Sequence, residues 1–171
     1  GVERKSWGDF MLVAAVGTLY FFSGNAANPV LYVLPLAVLT LSDAAAALAG
    51  SAYGRIHYII EDGQKSIEGS VIFFLVTWIL AMVALLLMSD VSRPNVALLS
   101  LLTAAFATTV EADSWRGFDN YFVPIGVFFI VDVHMYSDPW VLCLLAVGFL
   151  SVLNLLRVYG GALVGLSDHT A

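Results

Sequence analysis

The sequence predicts an all-α integral membrane bundle of about six transmembrane helices, and three observations predict it. Of 171 residues, 60% are hydrophobic and only 12% charged, against about 45–50% apolar and about 25% charged in soluble domains. Mean hydropathy is +0.90. Apolar stretches recur along the whole chain, and Lys and Arg gather between alternate stretches. These features exclude a disordered tail, a nucleic-acid binder and an ordinary soluble enzyme. They give one transmembrane domain over 1–171.

The first two stretches, Phe10–Phe22 and Val30–Leu41, are uncharged and separated by the turn-like run Ser23 to Pro29. Val71–Met88, Val96–Val110, Tyr121–Val131 and Trp140–Leu156 follow. A spanning helix needs about 20 residues, so the expected spans are 6–24, 28–50, 69–88, 94–112, 119–136 and 139–160. No single apolar stretch is followed by a cleavage site, so no secretory signal is evident. Trp7, Trp115 and Trp140 fall near expected helix ends, as an aromatic belt requires, while Trp78 falls within the third span. The one cysteine, Cys143, rules out a disulfide framework and reads as lipid-facing or core filler.

Odd-to-even crossings put Arg4, Lys5, Arg55, Lys65, Arg116 and Arg157 on one side and only Arg93 on the other. By the positive-inside rule the first side is expected to be cytoplasmic, with both ends of this chain there.

The same side collects the unusual polar residues. A helix from Pro29 rises about 21 Å by Asp43, in a hydrocarbon core about 30 Å thick. Asp43 is therefore expected below the cytoplasmic surface, in a cavity. An ionisable residue at that depth is a functional-site hypothesis. Asp43, Ala47, Gly50 and Gly54 share one helix face; helix packing through small residues explains the glycines but not the carboxylate. On the fourth helix Ser100, Ala104, Ala107 and Glu111 repeat the pattern. Loop 51–68 carries Arg55 and Lys65, and Ser66 suits the N-cap of the third helix. A helix start with Lys65 and Gly69 beside it is either an anion site or simply a capped helix. Segment 111–120 holds Glu111, Asp113, Asp119 and Asn120. Hard cations prefer oxygen ligands, and Mg²⁺ is usually held by one or two carboxylates plus substrate phosphates. Acids at Asp43, Glu111 and Asp119 opposite Arg55 and Lys65 thus point to a metal–nucleotide site. His57 in the loop is within reach of a phosphate but is expected to be exposed, and no histidine spacing suggests zinc.

Three segments together carry a resemblance: Asp43 to Gly50 with Tyr53-Gly54, then Lys65-Ser66-Ile67-Glu68-Gly69-Ser70, then Glu111-Ala112 with Gly117-Phe118-Asp119-Asn120 and Pro124. Their order and spacing over about residues 40–130 resemble the dolichol kinase, phytol kinase and CTP-dependent diacylglycerol kinase family of phosphatidate cytidylyltransferase-like membrane proteins. The resemblance implies an enzyme that transfers a phosphoryl group from CTP, with a divalent metal such as Mg²⁺, to the hydroxyl of a long-chain alcohol. On that reading Asp43 is the general base, and Glu111 and Asp119 serve the metal; sequence fixes the cluster better than the roles, and all three are candidate metal ligands. Gly50, Gly54, Arg55, Lys65, Ser66, Glu68, Gly69, Ser70 and Asn120 form the expected nucleotide surface, with Lys65 the main point charge and Asn120 holding the loop or a phosphate. Members of the family usually carry an Arg-Lys pair well upstream. Arg4-Lys5 lies only 38 residues before Asp43 and is given no such role; the expectation is a missing N-terminal portion or a compact variant. The expected partners are the bilayer, a lipid alcohol and a nucleoside triphosphate, with no nucleic acid; homo-oligomerisation is left open. A cytidylyltransferase forming a CDP-lipid is the first alternative. A small proton- or cation-coupled transporter is the second, and it would need acids spread across the bilayer and an inverted repeat.

Overall fold

The computed structural model describes residues 7–24, 28–60, 63–113 and 117–168, with side chains described as far as residue 156. Six helices follow one another: α1 (Gly8–Ser23), α2 (Val30–Tyr53), α3 (Ile67–Met88), α4 (Arg93–Ala112), α5 (Asp119–His134) and α6 (Pro139–Asp168). Between α2 and α3 an antiparallel hairpin, β1 (His57–Ile60) with β2 (Gly63–Ser66), pairs His57 with Ser66 and Ile60 with Gly63. The expected all-α bundle is thus helical with one small hairpin, and residues 57–66, read from sequence as loop, are mostly strand.

Among the described residues four helices are long and apolar enough to cross a membrane: α2, α3, α4 and, over Pro139–Leu156, α6. The other two, α1 and α5, have 16 residues each, which is about 24 Å of helix. That is shorter than the roughly 30 Å hydrocarbon core, so length singles out four candidate spans where the sequence predicts six. The helices keep much of their apolar surface outside: α3 has a mean hydropathy of 2.9 over its window with 22% of it buried, and α6 one of 2.2 with 6% buried. Soluble monomers rarely expose apolar patches beyond a few hundred Å²; surfaces like these suit lipid.

The core is the seam where α2, α3, α4 and α5 meet, filled by Leu34, Val38, Phe73, Leu85, Leu99 and Val127. Neighbours run antiparallel. At one end Lys65, just before α3, meets Glu111 at the close of α4 and Asp119 at the start of α5. At the other end Asn95, near the start of α4, donates to the Ser137 carbonyl beyond α5 at 2.6 Å. The start of α1 joins the first end, because Asn120 Nδ2 donates to the Gly8 carbonyl at 3.2 Å.

One irregularity sets the site. Pro35 lies inside α2, where it supplies no backbone N–H. The next turn, Val38–Ser42, is π-helical, and regular α-helix resumes at Asp43. Such single π turns re-aim the residues that follow and are frequent at functional sites. The turn is tied to α3 by a buried hydroxyl pair, in which Thr77 Oγ1 donates to Ser42 Oγ at 2.9 Å.

Candidate functional site

Where the ends of α2, α3, α4 and α5 converge there is a cavity of about 510 Å³. It takes Asp43, Ala47 and Gly50 from α2, His57 and Lys65 from the hairpin, Gly69 and Ser70 from α3, Glu111 from α4 and Asp119 from α5. Asp43 lies in the cavity wall, as its depth in the helix implies. The face ending in Glu111 is buried as the spacing predicts: Ser100, Ala104 and Ala107 are fully covered and Glu111 is 6% exposed.

Lys65 is the electrostatic centre. Its ammonium donates to Glu111 Oε1 at 2.5 Å and to the Glu111 backbone carbonyl. Asp119 Oδ2 lies 3.9 Å away. Asp43 is near enough to feel the charges of both Lys65 and Asp119. The strand places the ammonium there: Lys65 pairs with Tyr58 across the hairpin. The end of the hairpin is fixed to α3 by Ile67 N–H on the Ile56 carbonyl at 2.9 Å and by Tyr58 Oη with Ser70 Oγ at 2.8 Å. Asp119 is set by its own turn. Gly117 takes φ 80°, a left-handed conformation that glycine adopts without penalty. Asp119 Oδ1 then accepts the Asn120 N–H at 3.1 Å.

The expected nucleotide residues divide. Gly50, Lys65, Ser66, Gly69 and Ser70 line the cavity. Gly54, Arg55 and Glu68 are not part of its wall. Arg55 is exposed in the extended segment between the end of α2 and β1, so it does not oppose the acids. Glu68 turns back instead, with both carboxylate oxygens 3.4 Å from the Ile56 N–H. Ser66 is the N-cap of α3, accepting the Gly69 N–H at 3.1 Å. The glycines have a packing reason of their own. A Cβ on Gly50 would stand 2.9 Å from Ser66 Oγ, and one on Gly69 would stand 3.1 Å from the Ala46 carbonyl. They let α2 and the start of α3 touch, besides bordering the cavity. Arg4, Lys5 and Arg116, which carry much of the orientation argument, lie outside the described residues, and so does Trp115.

His57, Gln64 and Ser51 also line the cavity. Gln64 and Ser51 carry no expectation from the sequence, and His57, expected to be exposed, is both exposed and part of the wall. A signal for the hairpin was present: His57-Tyr58-Ile59-Ile60 is rich in strand formers and is followed by Asp62-Gly63, a hairpin dipeptide.

Can these residues hold a divalent cation? The donors are the hard oxygens such an ion prefers. A side pocket of about 10 Å³ lies among Asp43, Glu111, Asp119 and Asn120, about the space of one water. Glu111 Oε2 is buried with no hydrogen-bond partner. The chemistry of the donor set therefore fits. The side chains as they stand are not arranged as a complete site: among the described residues no three Asp, Glu, His or Cys side chains are grouped to hold one ion.

Compared with protein-family models, with characterised proteins and with solved structures, the chain matches none, so what the site does must be read from its own residues.

Proposed function

We propose that this chain is a membrane lipid-alcohol kinase, which transfers the terminal phosphoryl group of CTP or another nucleoside triphosphate to the hydroxyl of a long-chain alcohol such as a polyprenol, phytol or diacylglycerol. The observation that carries the reading is the convergence of Asp43, Glu111, Asp119 and Lys65, from separate elements, in one cavity at the end of apolar helices of membrane length. A nucleotide enters such a cavity from water and a lipid alcohol from the bilayer. The three acids of the cavity sit together at one end of the bundle, and Asp90, Asp132 and Asp138 toward the other end form no cluster with them, whereas a cation relay would line acids up across the bilayer.

Phosphoryl transfer needs positioning and charge neutralisation more than covalent help. Lys65 is the cation for the phosphates, with Ser70, His57 and Gln64 beside it in the wall. Asp43 accepts the hydroxyl proton as the alcohol oxygen bonds to the terminal phosphorus, and the bond from that phosphorus to the bridging oxygen breaks. The products are a lipid phosphate and the nucleoside diphosphate. Glu111 and Asp119 are the residues that would hold Mg²⁺ together with the phosphates; bound there, the ion would screen the charge of the transferring group. On this reading the cavity end of the bundle, with the start of α1, faces the cytoplasm.

The test is a nucleotide-dependent phosphorylation assay on the full chain in detergent, against phytol, a polyprenol and diacylglycerol. Lipid phosphate and CDP are expected. Pyrophosphate with a CDP-lipid would replace the kinase by a cytidylyltransferase, and no lipid product from any acceptor would defeat both.

A further inference from the structure

The acidic end of the bundle already contains a cation. Lys65 Nζ rests on the carboxylate and the carbonyl of Glu111, with Asp119 3.9 Å away. These oxygens are the ones a divalent ion would use. The second Glu111 oxygen is left buried and unpartnered on a residue only 6% exposed. Beside it is the side pocket of about 10 Å³. Yet among the described residues no three acids are grouped to hold one ion. The arrangement has the charge and donors of a cation site but not its assembled geometry, and Lys65 occupies one of those donors.

We infer that Lys65 is a resident counter-ion that keeps a free divalent cation out of the acidic pocket and releases Glu111 only when a polyphosphate takes its ammonium. The inference rests on the proposed reading of the cavity as a cation–polyphosphate site, and it adds an order of events. A divalent ion approaching alone meets an ammonium at close range, where like charges repel strongly in a partly dry site. It also finds too few oxygens to replace its waters. A polyphosphate offers the ammonium another anion, and the long, flexible lysine stem carries the charge across while its strand stays fixed. Glu111 is then free for the cation that arrives with the phosphates. The cation therefore enters as the nucleotide complex and not ahead of it.

The experiment is Mn²⁺ binding to the full chain in detergent, read from the loss of the free-ion EPR signal, in wild type, Lys65→Met and Lys65→Gln. Without nucleotide, both variants should bind one Mn²⁺ about tenfold or more tightly than wild type, the scale of one unit charge removed at contact in a partly screened site. Adding Glu111→Gln to Lys65→Gln should abolish the gain. Lys65→Gln keeps a hydrogen-bonding side chain on Glu111 and serves if Lys65→Met does not fold. Wild type binding Mn²⁺ as tightly as the variants, or no binding by any of the three, overturns the inference. Retention of labelled CTP by wild type with Mg²⁺ separates the two failures. CTP bound, but Mn²⁺ affinity equal in all forms, defeats the counter-ion alone. No CTP bound, but Mn²⁺ gained on removing Lys65, defeats the nucleotide reading and leaves the counter-ion.

Discussion

The two ends of α4 and α5 are built on opposite principles. At the Glu111–Asp119 end three carboxylates and an ammonium face one cavity. Toward the His134 end, α4, α5 and α6 border a groove of about 380 Å³ lined by Leu102, Phe106, Ile130, Leu145 and Phe149, with His134 as its one ionisable member. Any apolar chain can cover such a groove without a specific partner. A buried carboxylate such as Glu111 has no such freedom, because a charge removed from water must be met by another charge or a hydrogen bond. The cavity end is therefore where Lys65 and Glu111 are fixed as a pair, and where substitution should cost most.

That contrast can be broken or sharpened, beginning with the largest effect. Asp43→Asn should lower turnover by about 10²-fold or more, the share of a positioned base, while nucleotide binding persists; full activity in a phosphorylation assay would remove Asp43 from the chemistry. Lys65→Ala should weaken metal-free nucleotide binding by about 10–100-fold, since a hydrogen bond to a charged group is worth about 1.5–3 kcal/mol; equilibrium dialysis with labelled CTP measures it. Glu111→Ala should destabilise the bundle by about 3 kcal/mol, because removing one partner leaves the other charge in a poorly solvated place. Thermal unfolding in detergent should show the drop, and a smaller one for Glu111→Gln. Two glycines give the finest comparison. A Cβ on Gly54 would overlap the Gly50 carbonyl oxygen and stand 3.0 Å from Ser66 Cβ, whereas one on Gly148 in the groove meets nothing within 4 Å. Gly54→Ala should cost about 1–3 kcal/mol and Gly148→Ala less than about 0.5 kcal/mol. Equal losses at both would show that the two ends are equally constrained.

The helical elements were legible because apolar runs and turn residues state them directly. Each expected helix exists, most with ends within three residues of the expected ones: α2 runs on to Tyr53, and α6 runs eight residues further, to Asp168. Ser66 was legible as an N-cap from local chemistry alone, since capping involves residues three apart in the chain. The hairpin was overlooked because its strands have only four residues each, too few for a periodic pattern to stand out among polar neighbours. The sequence points to Arg55 through its charge and to Glu68 through the resemblance of segment 65–70. Whether a side chain enters the cavity or leaves it depends on the path of the hairpin, which spacing does not express.

The sequence by itself determined a strongly apolar helical chain whose acids and bases collect at the ends of particular helices, because hydropathy and helical periodicity are local properties. The sequence also points Asp43, Glu111 and Asp119, 68 and 8 residues apart in the chain, to one site; only the tertiary structure decided that His57, Gln64 and Ser51 line the same cavity, and that Lys65 rests on Glu111. Those contacts depend on a π turn after Pro35, on glycines that let α2 and α3 touch, and on a hairpin that carries a lysine back over the ends of α4 and α5. Each is a matter of close packing between distant segments, where an ångström decides which charge meets which.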